Sequence, residues 1–139
     1  MNWFAFAALS ALAAAATAIL AKIGVKDVNS NLATAIRTVV VLVFAWGIVF
    51  STGAHKEIPR LSSQTLVFLG LSGVATGMSW LFYFRALQLG RASQVAPVDK
   101  FSLVLTVIFA AVFLGESISW GVAAGVGLIV AGTVLVAVS

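Results

Sequence analysis

The sequence predicts an all-α membrane protein, a bundle of five transmembrane helices, and three observations predict it. First, 62% of the 139 residues are hydrophobic and 9% are charged. A soluble domain carries about 25% charged residues, so this chain lacks the polar groups to cover a surface in water. Second, five apolar stretches reach the roughly 20 residues that cross a hydrocarbon core about 30 Å thick. Third, the apolar residues run on without alternating, as in Val39-Val40-Val41-Leu42-Val43. That excludes the in-out pattern of a membrane β-barrel strand. A lipid bilayer is the solvent this composition fits.

The first span covers about residues 3–21 and is rich in alanine, notably Ala13-Ala14-Ala15-Ala16. It has no basic segment ahead of it, and its apolar run exceeds the ~7–15 residues of a signal-peptide core. A retained helix is expected. The second span covers about 32–52. The third covers about 65–88 and carries Gly70, Gly73 and Gly77. The fourth covers about 95–114, with Pro97 at its start. In a first helical turn the missing proline N–H has no partner to lose. The sharper reading is a broken entrance that exposes backbone groups to a substrate. The fifth covers about 118–138. Its Gly121-x-x-x-Gly125 pair and Gly132 suit close helix contact, within one subunit or between two.

The connections, residues 22–31, 53–64, 89–94 and 115–117, are too short to house a soluble domain. Trp3 and Trp120 begin their helices, where indoles anchor at the membrane interface. Trp46 and Trp80 lie deeper, either lining a cavity or packing.

The net charge is +4. The basic residues flank apolar spans, as the positive-inside rule expects, so nucleic acid is not implied. Five spans place the termini on opposite faces. Counting the amino-terminal face as side one, side two holds Lys22, Lys26, Arg37, Arg85, Arg91 and Lys100, and side one holds Lys56 and Arg60. That bias favours an outside amino terminus. Loop residues alone give Lys22, Lys26 and Arg91 against Lys56 and Arg60, which is nearly balanced and leaves dual insertion open.

There is no cysteine, so disulfides and thiolate chemistry are excluded, and His55 is the single histidine. No metal site, cofactor motif, phosphate loop or catalytic constellation is present. The sequence does not read as an enzyme.

An ionisable group inside a span is expensive and marks a functional candidate. Arg37, Arg85, Asp99 and Lys100 qualify, all toward side two. They either converge on a charged vestibule, Asp99 pairing a base, or snorkel to the interface. Ser72, Thr76, Ser79 and Tyr83 follow i, i+4, i+7, i+11 and share one face of the third helix. Asp99, Ser102 and Thr106 follow i, i+3, i+7 in the fourth. Two polar stripes in an apolar bundle suit a substrate path. Alternatively, each hydroxyl bonds its own i−4 carbonyl.

From Trp80 onward the sequence reads Trp80-Leu-Phe-Tyr-Phe-Arg-Ala-Leu-Gln-Leu-Gly90, then Arg91-Ala-Ser-Gln-Val-Ala-Pro97-Val-Asp99-Lys100, then Leu114-Gly-Glu116 and a glycine-rich last helix. These segments resemble the EamA-type repeat of the drug/metabolite transporter superfamily. The resemblance covers nearly the whole chain and is strongest over residues 80–132. Most such transporters have ten helices in two inverted repeats. One repeat resembles the five-helix bacterial and archaeal subgroup, half of an inverted-repeat transporter. The resemblance implies a secondary transporter subunit in the inner membrane. It would move a small organic metabolite and pair with a second copy of itself or a sister half-transporter. Helix one lacks the embedded acid of the related small multidrug-resistance proteins. On the charges, Arg37, Arg85 and Lys100 would attract a substrate carboxylate, and Asp99 an amine or a coupling proton. The alternative is a non-transporting membrane subunit that stabilises a partner.

Overall fold

In lipid every backbone polar group must be bonded internally, so long apolar stretches fold as helices. The computed structural model describes residues 2–139. Helices make up 86% of it, and no strand is present among the described residues. The order is α1 (Trp3–Gly24), α2 (Ser30–Thr52), a 3-10 helix (Ala54–Arg60), α3 (Ser63–Leu89), α4 (Ala92–Asp99), α5 (Ser102–Leu114) and α6 (Trp120–Ala137). Five helical stretches are long and apolar enough to cross a membrane: α1, α2, α3, α4 with α5 over Ala92–Leu114, and α6. Large apolar side chains such as Leu12, Val43, Phe44, Phe68 and Phe113 lie exposed on the chain, as lipid-facing residues do.

Helix ends fall within three residues of the expected spans, and two differences change the reading. Residues 53–64 are not a plain loop, because most of them wind into the 3-10 helix. The fourth span starts three residues early, at Ala92, so Pro97 lies in the second turn of α4. There proline removes an interior N–H donor, leaving the Ser93 carbonyl without its helical partner.

The chain divides into two compact units. The central unit, Leu20–Gln88, holds the end of α1, α2, the 3-10 helix and nearly all of α3. Its core is small. Leu87 is 0% and Val25 1% exposed, with Phe84, Ala21, Ser30 and Thr34 also buried. Asn29 caps α2 by accepting from the N–H groups of Asn31 at 2.9 Å and Leu32 at 3.3 Å, satisfying donors that a helix start leaves unpaired. Gly53, at φ 75°, closes α2 in the left-handed conformation that glycine adopts freely.

The terminal unit combines α1 up to Ile19 with residues 89–139. In it α6 packs against α4 and α5. The Thr133 hydroxyl of α6 donates to the Pro97 carbonyl at 3.3 Å. Gly115, at φ 68°, ends α5, and Ser119 caps α6 by accepting from Val122 N–H at 3.3 Å.

Candidate functional site

In the central unit, the carboxyl end of α3 is tied to the α1–α2 turn. Lys22 Nζ donates to the Leu87 carbonyl. This places a cation on a carbonyl that the helix end leaves unbonded, where the helix dipole favours it. Gln88 Nε2 donates to the Val25 carbonyl at 2.8 Å and to the Val28 carbonyl. Arg85 Nη1 donates back to Gln88 Oε1 at 3.1 Å. These bonds hold the start of α2 and the end of α3 at one level.

Arg37 is placed by that arrangement. Its guanidinium carbon lies 4.0 Å from the Trp80 ring centroid and 5.4 Å from that of Phe84. Arg37 is about 10 Å along α2 from its start, at 1.5 Å per residue. Trp80 is about 14 Å and Phe84 about 8 Å from the end of α3 on the same scale. A snorkelling arginine would reach outward, past Phe84. This one sits closer to the deeper ring. Tyr83 interacts with it electrostatically. Arg37 makes no ion pair and no hydrogen bond to protein among the described residues. A desolvated cation–π contact is worth about 2 kcal/mol. It satisfies none of the guanidinium N–H groups, and the half-buried side chain leaves them accessible.

The polar stripe on α3 borders this clamp. Ser72, Thr76, Ser79 and Tyr83 all fall within one uninterrupted helix. At about 100° per residue, Trp80 and Phe84 follow next around its circumference. The Thr76 hydroxyl donates to the Ser72 carbonyl at 2.9 Å, so it is partly committed to its own helix.

In the terminal unit the second stripe is interrupted. Asp99 is the last residue of α4 and Ser102 the first of α5, so Asp99, Ser102 and Thr106 do not share one continuous α-helix. Between them the chain tightens. Lys100 N–H donates to the Pro97 carbonyl at 3.1 Å, Phe101 to Val98 at 3.0 Å, Leu103 to Lys100 at 2.9 Å and Val104 to Phe101 at 3.0 Å. These are i to i−3 bonds, the 3-10 pattern that often marks a hinge in a long helix. Asp99 Oδ2 lies 3.8 Å from Lys100 Nζ, with the Lys100 side chain 51% and the Asp99 side chain 36% exposed. At 3.8 Å the contact is longer than the roughly 2.7–2.9 Å of a charge-assisted hydrogen bond, so it holds the break weakly. The Thr106 hydroxyl donates to the Ser102 carbonyl at 2.8 Å.

The clamp and tether sort the four ionisable candidates. Arg37 is held by rings, Arg85 is bonded to Gln88, and Asp99 and Lys100 pair with each other at the helix break. The sequence reading did not single out Lys22, Phe84 and Gln88. The i, i+4, i+8 spacing of Trp80, Phe84 and Gln88 was the available signal for a shared face.

Comparison with known proteins agrees with this architecture. The sequence profile of the EamA-like transporter family matches residues 1–138. A Sinorhizobium sp. protein described as an uncharacterized transporter in the cobO 3′ region is 50% identical over 137 residues, covering 99% of this chain and 97% of that protein. No solved structure is matched. A match of this extent, on five apolar helices, makes the chain a multi-pass membrane transport protein that belongs to the EamA-like transporter family.

Proposed function

We propose that this chain is one subunit of a secondary transporter that moves a small organic metabolite across a bacterial or archaeal inner membrane. It works as a dimer with a second copy of itself or a sister half-transporter, and it is not an enzyme. The observation that carries the reading is the interrupted fourth span, with Asp99 and Lys100 at the interruption. Transporters recurrently build their sites on discontinuous helices, whose freed backbone groups and ends bind substrate and coupling ions. An acid at such a point binds a substrate amine or a coupling proton, and the lysine beside it attracts a carboxylate. In the terminal unit the Ser102 hydroxyl adds a polar group at this break, with the backbone-bonded Thr106 one turn further on; in the central unit the α3 stripe of Ser72, Thr76, Ser79 and Tyr83 offers polar groups of its own.

Uptake of labelled amino acids, carboxylates and amines into proteoliposomes holding only this chain tests the reading. Saturable uptake is expected, strongly lowered by Asp99→Asn and by Lys100→Met. Wild-type rates in both variants would remove the site assignment. No uptake across the panel would remove the self-sufficient homodimer and leave a half-transporter that needs its sister chain, or a stabilising membrane subunit.

A further inference from the structure

We infer that the central unit carries an anion subsite in which Arg37, laid over Trp80 with Tyr83 and Phe84 alongside, holds the carboxylate of a small organic monoanion. The inference rests on the transporter reading and specifies the class of substrate that reading leaves open.

Most basic groups of this unit are bonded to the end of α3 or lie outside the apolar spans. Lys22 is bonded to the Leu87 carbonyl and Arg85 to Gln88. Both are occupied in holding the end of α3. Lys26, Lys56 and Arg60 lie outside the apolar spans. Arg37 is the remaining cation, and it is inside a span without an acidic partner among the described residues. A cation at that depth calls for a counter-charge, and the clamp supplies rings instead.

The Arg37 guanidinium carbon, 4.0 Å from the Trp80 centroid, is at stacking distance, and a guanidinium that meets an indole with its face keeps its N–H edge free. That edge matches a carboxylate in two parallel hydrogen bonds. One accessible positive charge suits one negative charge, so a monocarboxylate fits better than a dianion. The remaining body of the ligand would lie along the neighbouring α3 surface, where Ser79 and Tyr83 offer hydroxyls between apolar residues. A lipid phosphate presents the same anionic oxygens to an arginine, and the experiment separates the two sources.

The full chain, with Trp3, Trp46 and Trp120 changed to Phe, keeps Trp80 as its one indole. It is placed in nanodiscs of phosphatidylcholine and titrated with hexanoate and benzoate, and with hexanamide and benzamide as neutral counterparts. Saturable changes in Trp80 emission are expected for the carboxylates, with the amides weaker by about tenfold or more, the scale of one charged hydrogen bond. Arg37→Gln abolishes the response. Arg37→Lys keeps the charge, loses the two-bond geometry and binds more weakly. Arg60→Gln leaves it unchanged.

Equal responses to acids and amides would overturn the subsite, as would retained binding in Arg37→Gln. A response to phosphatidylglycerol nanodiscs with none to the carboxylates would also overturn it and assign Arg37 to lipid. Uptake by proteoliposomes keeps the two readings apart. Carboxylate uptake that survives Arg37→Gln at full rate sinks the subsite and leaves the transporter. Carboxylate binding at Arg37 without uptake of any compound sinks a transporter that works from this chain alone and leaves the subsite.

Discussion

The Arg37 guanidinium lies 4.0 Å from the centre of the Trp80 ring, and that contact bridges α2 to α3 inside the apolar part of the chain. Removing the ring should therefore affect both stability and the aim of the arginine. Trp80→Phe keeps an aromatic face of smaller quadrupole and is expected to cost about 0.5–1 kcal/mol. Trp80→Ala loses the cation–π contact and the packing together, on the order of 3–5 kcal/mol. Thermal unfolding in detergent, followed by helix circular dichroism, measures both. Equal midpoints for the Phe and Ala variants would show that the ring contributes nothing to the fold.

On the same helix, Gln88 matters more to the fold than its bonding partner Arg85. Its amide serves the Val25 and Val28 carbonyls, in a turn whose Val25 side chain is almost fully buried. Gln88→Ala strands those acceptors, at about 1–3 kcal/mol. Arg85→Gln loses only an exposed bond to the same residue and should fall within about 0.5 kcal/mol of wild type, as surface changes do. Denaturation midpoints of the two variants should separate clearly. If Arg85→Gln proves the more damaging, the tether is wrongly assigned.

The ion pair at the helix break predicts a split between stability and activity. The 3.8 Å contact is too long for a charge-assisted hydrogen bond, so Asp99→Asn should leave the unfolding midpoint nearly unchanged. Its effect on uptake then reports function and not folding. A large drop in midpoint would mean that Asp99 has a structural role the 3.8 Å contact with Lys100 does not account for.

Local hydropathy made the five spans legible in the sequence. Each apolar run contains its own evidence, and the bilayer sets the length it must reach. Boundaries set by caps were harder. Arg91 occupies the N-cap of α4 and makes no side-chain capping bond, so nothing in the sequence announced a helix start ahead of Pro97. The break after Asp99 also follows no glycine or asparagine signal. The α3 stripe was readable because its spacing lies in one helix. The Arg37 clamp was not, because periodicity shows which residues share a face of α3 but not which residue of α2 meets that face.

Many secondary transporters place their site between two repeats of opposite orientation, and this five-helix chain is expected to take its second repeat from another copy of itself. Two features support an inverted second copy. The loop charges are nearly balanced, with Lys22, Lys26 and Arg91 against Lys56 and Arg60, and a balance of this kind does not fix the insertion direction. The Gly121 and Gly125 positions of α6 have no side-chain atom closer than 3.9 Å to an added Cβ, which leaves room for a neighbouring helix to approach. The opposing expectation comes from the full count of six basic residues toward side two and two toward side one, which would fix the amino terminus outside and require a different chain as the inverted partner. The chain has no cysteine, so a single Ala54→Cys in the exposed 3-10 segment gives a clean label and leaves the loop charges unchanged. Intact cells are treated with a membrane-impermeant maleimide. Labelling of roughly half the molecules is expected for balanced dual insertion. Complete labelling, or none, would mean that every copy inserts the same way, and the antiparallel homodimer would give way to a heterodimer or a parallel assembly.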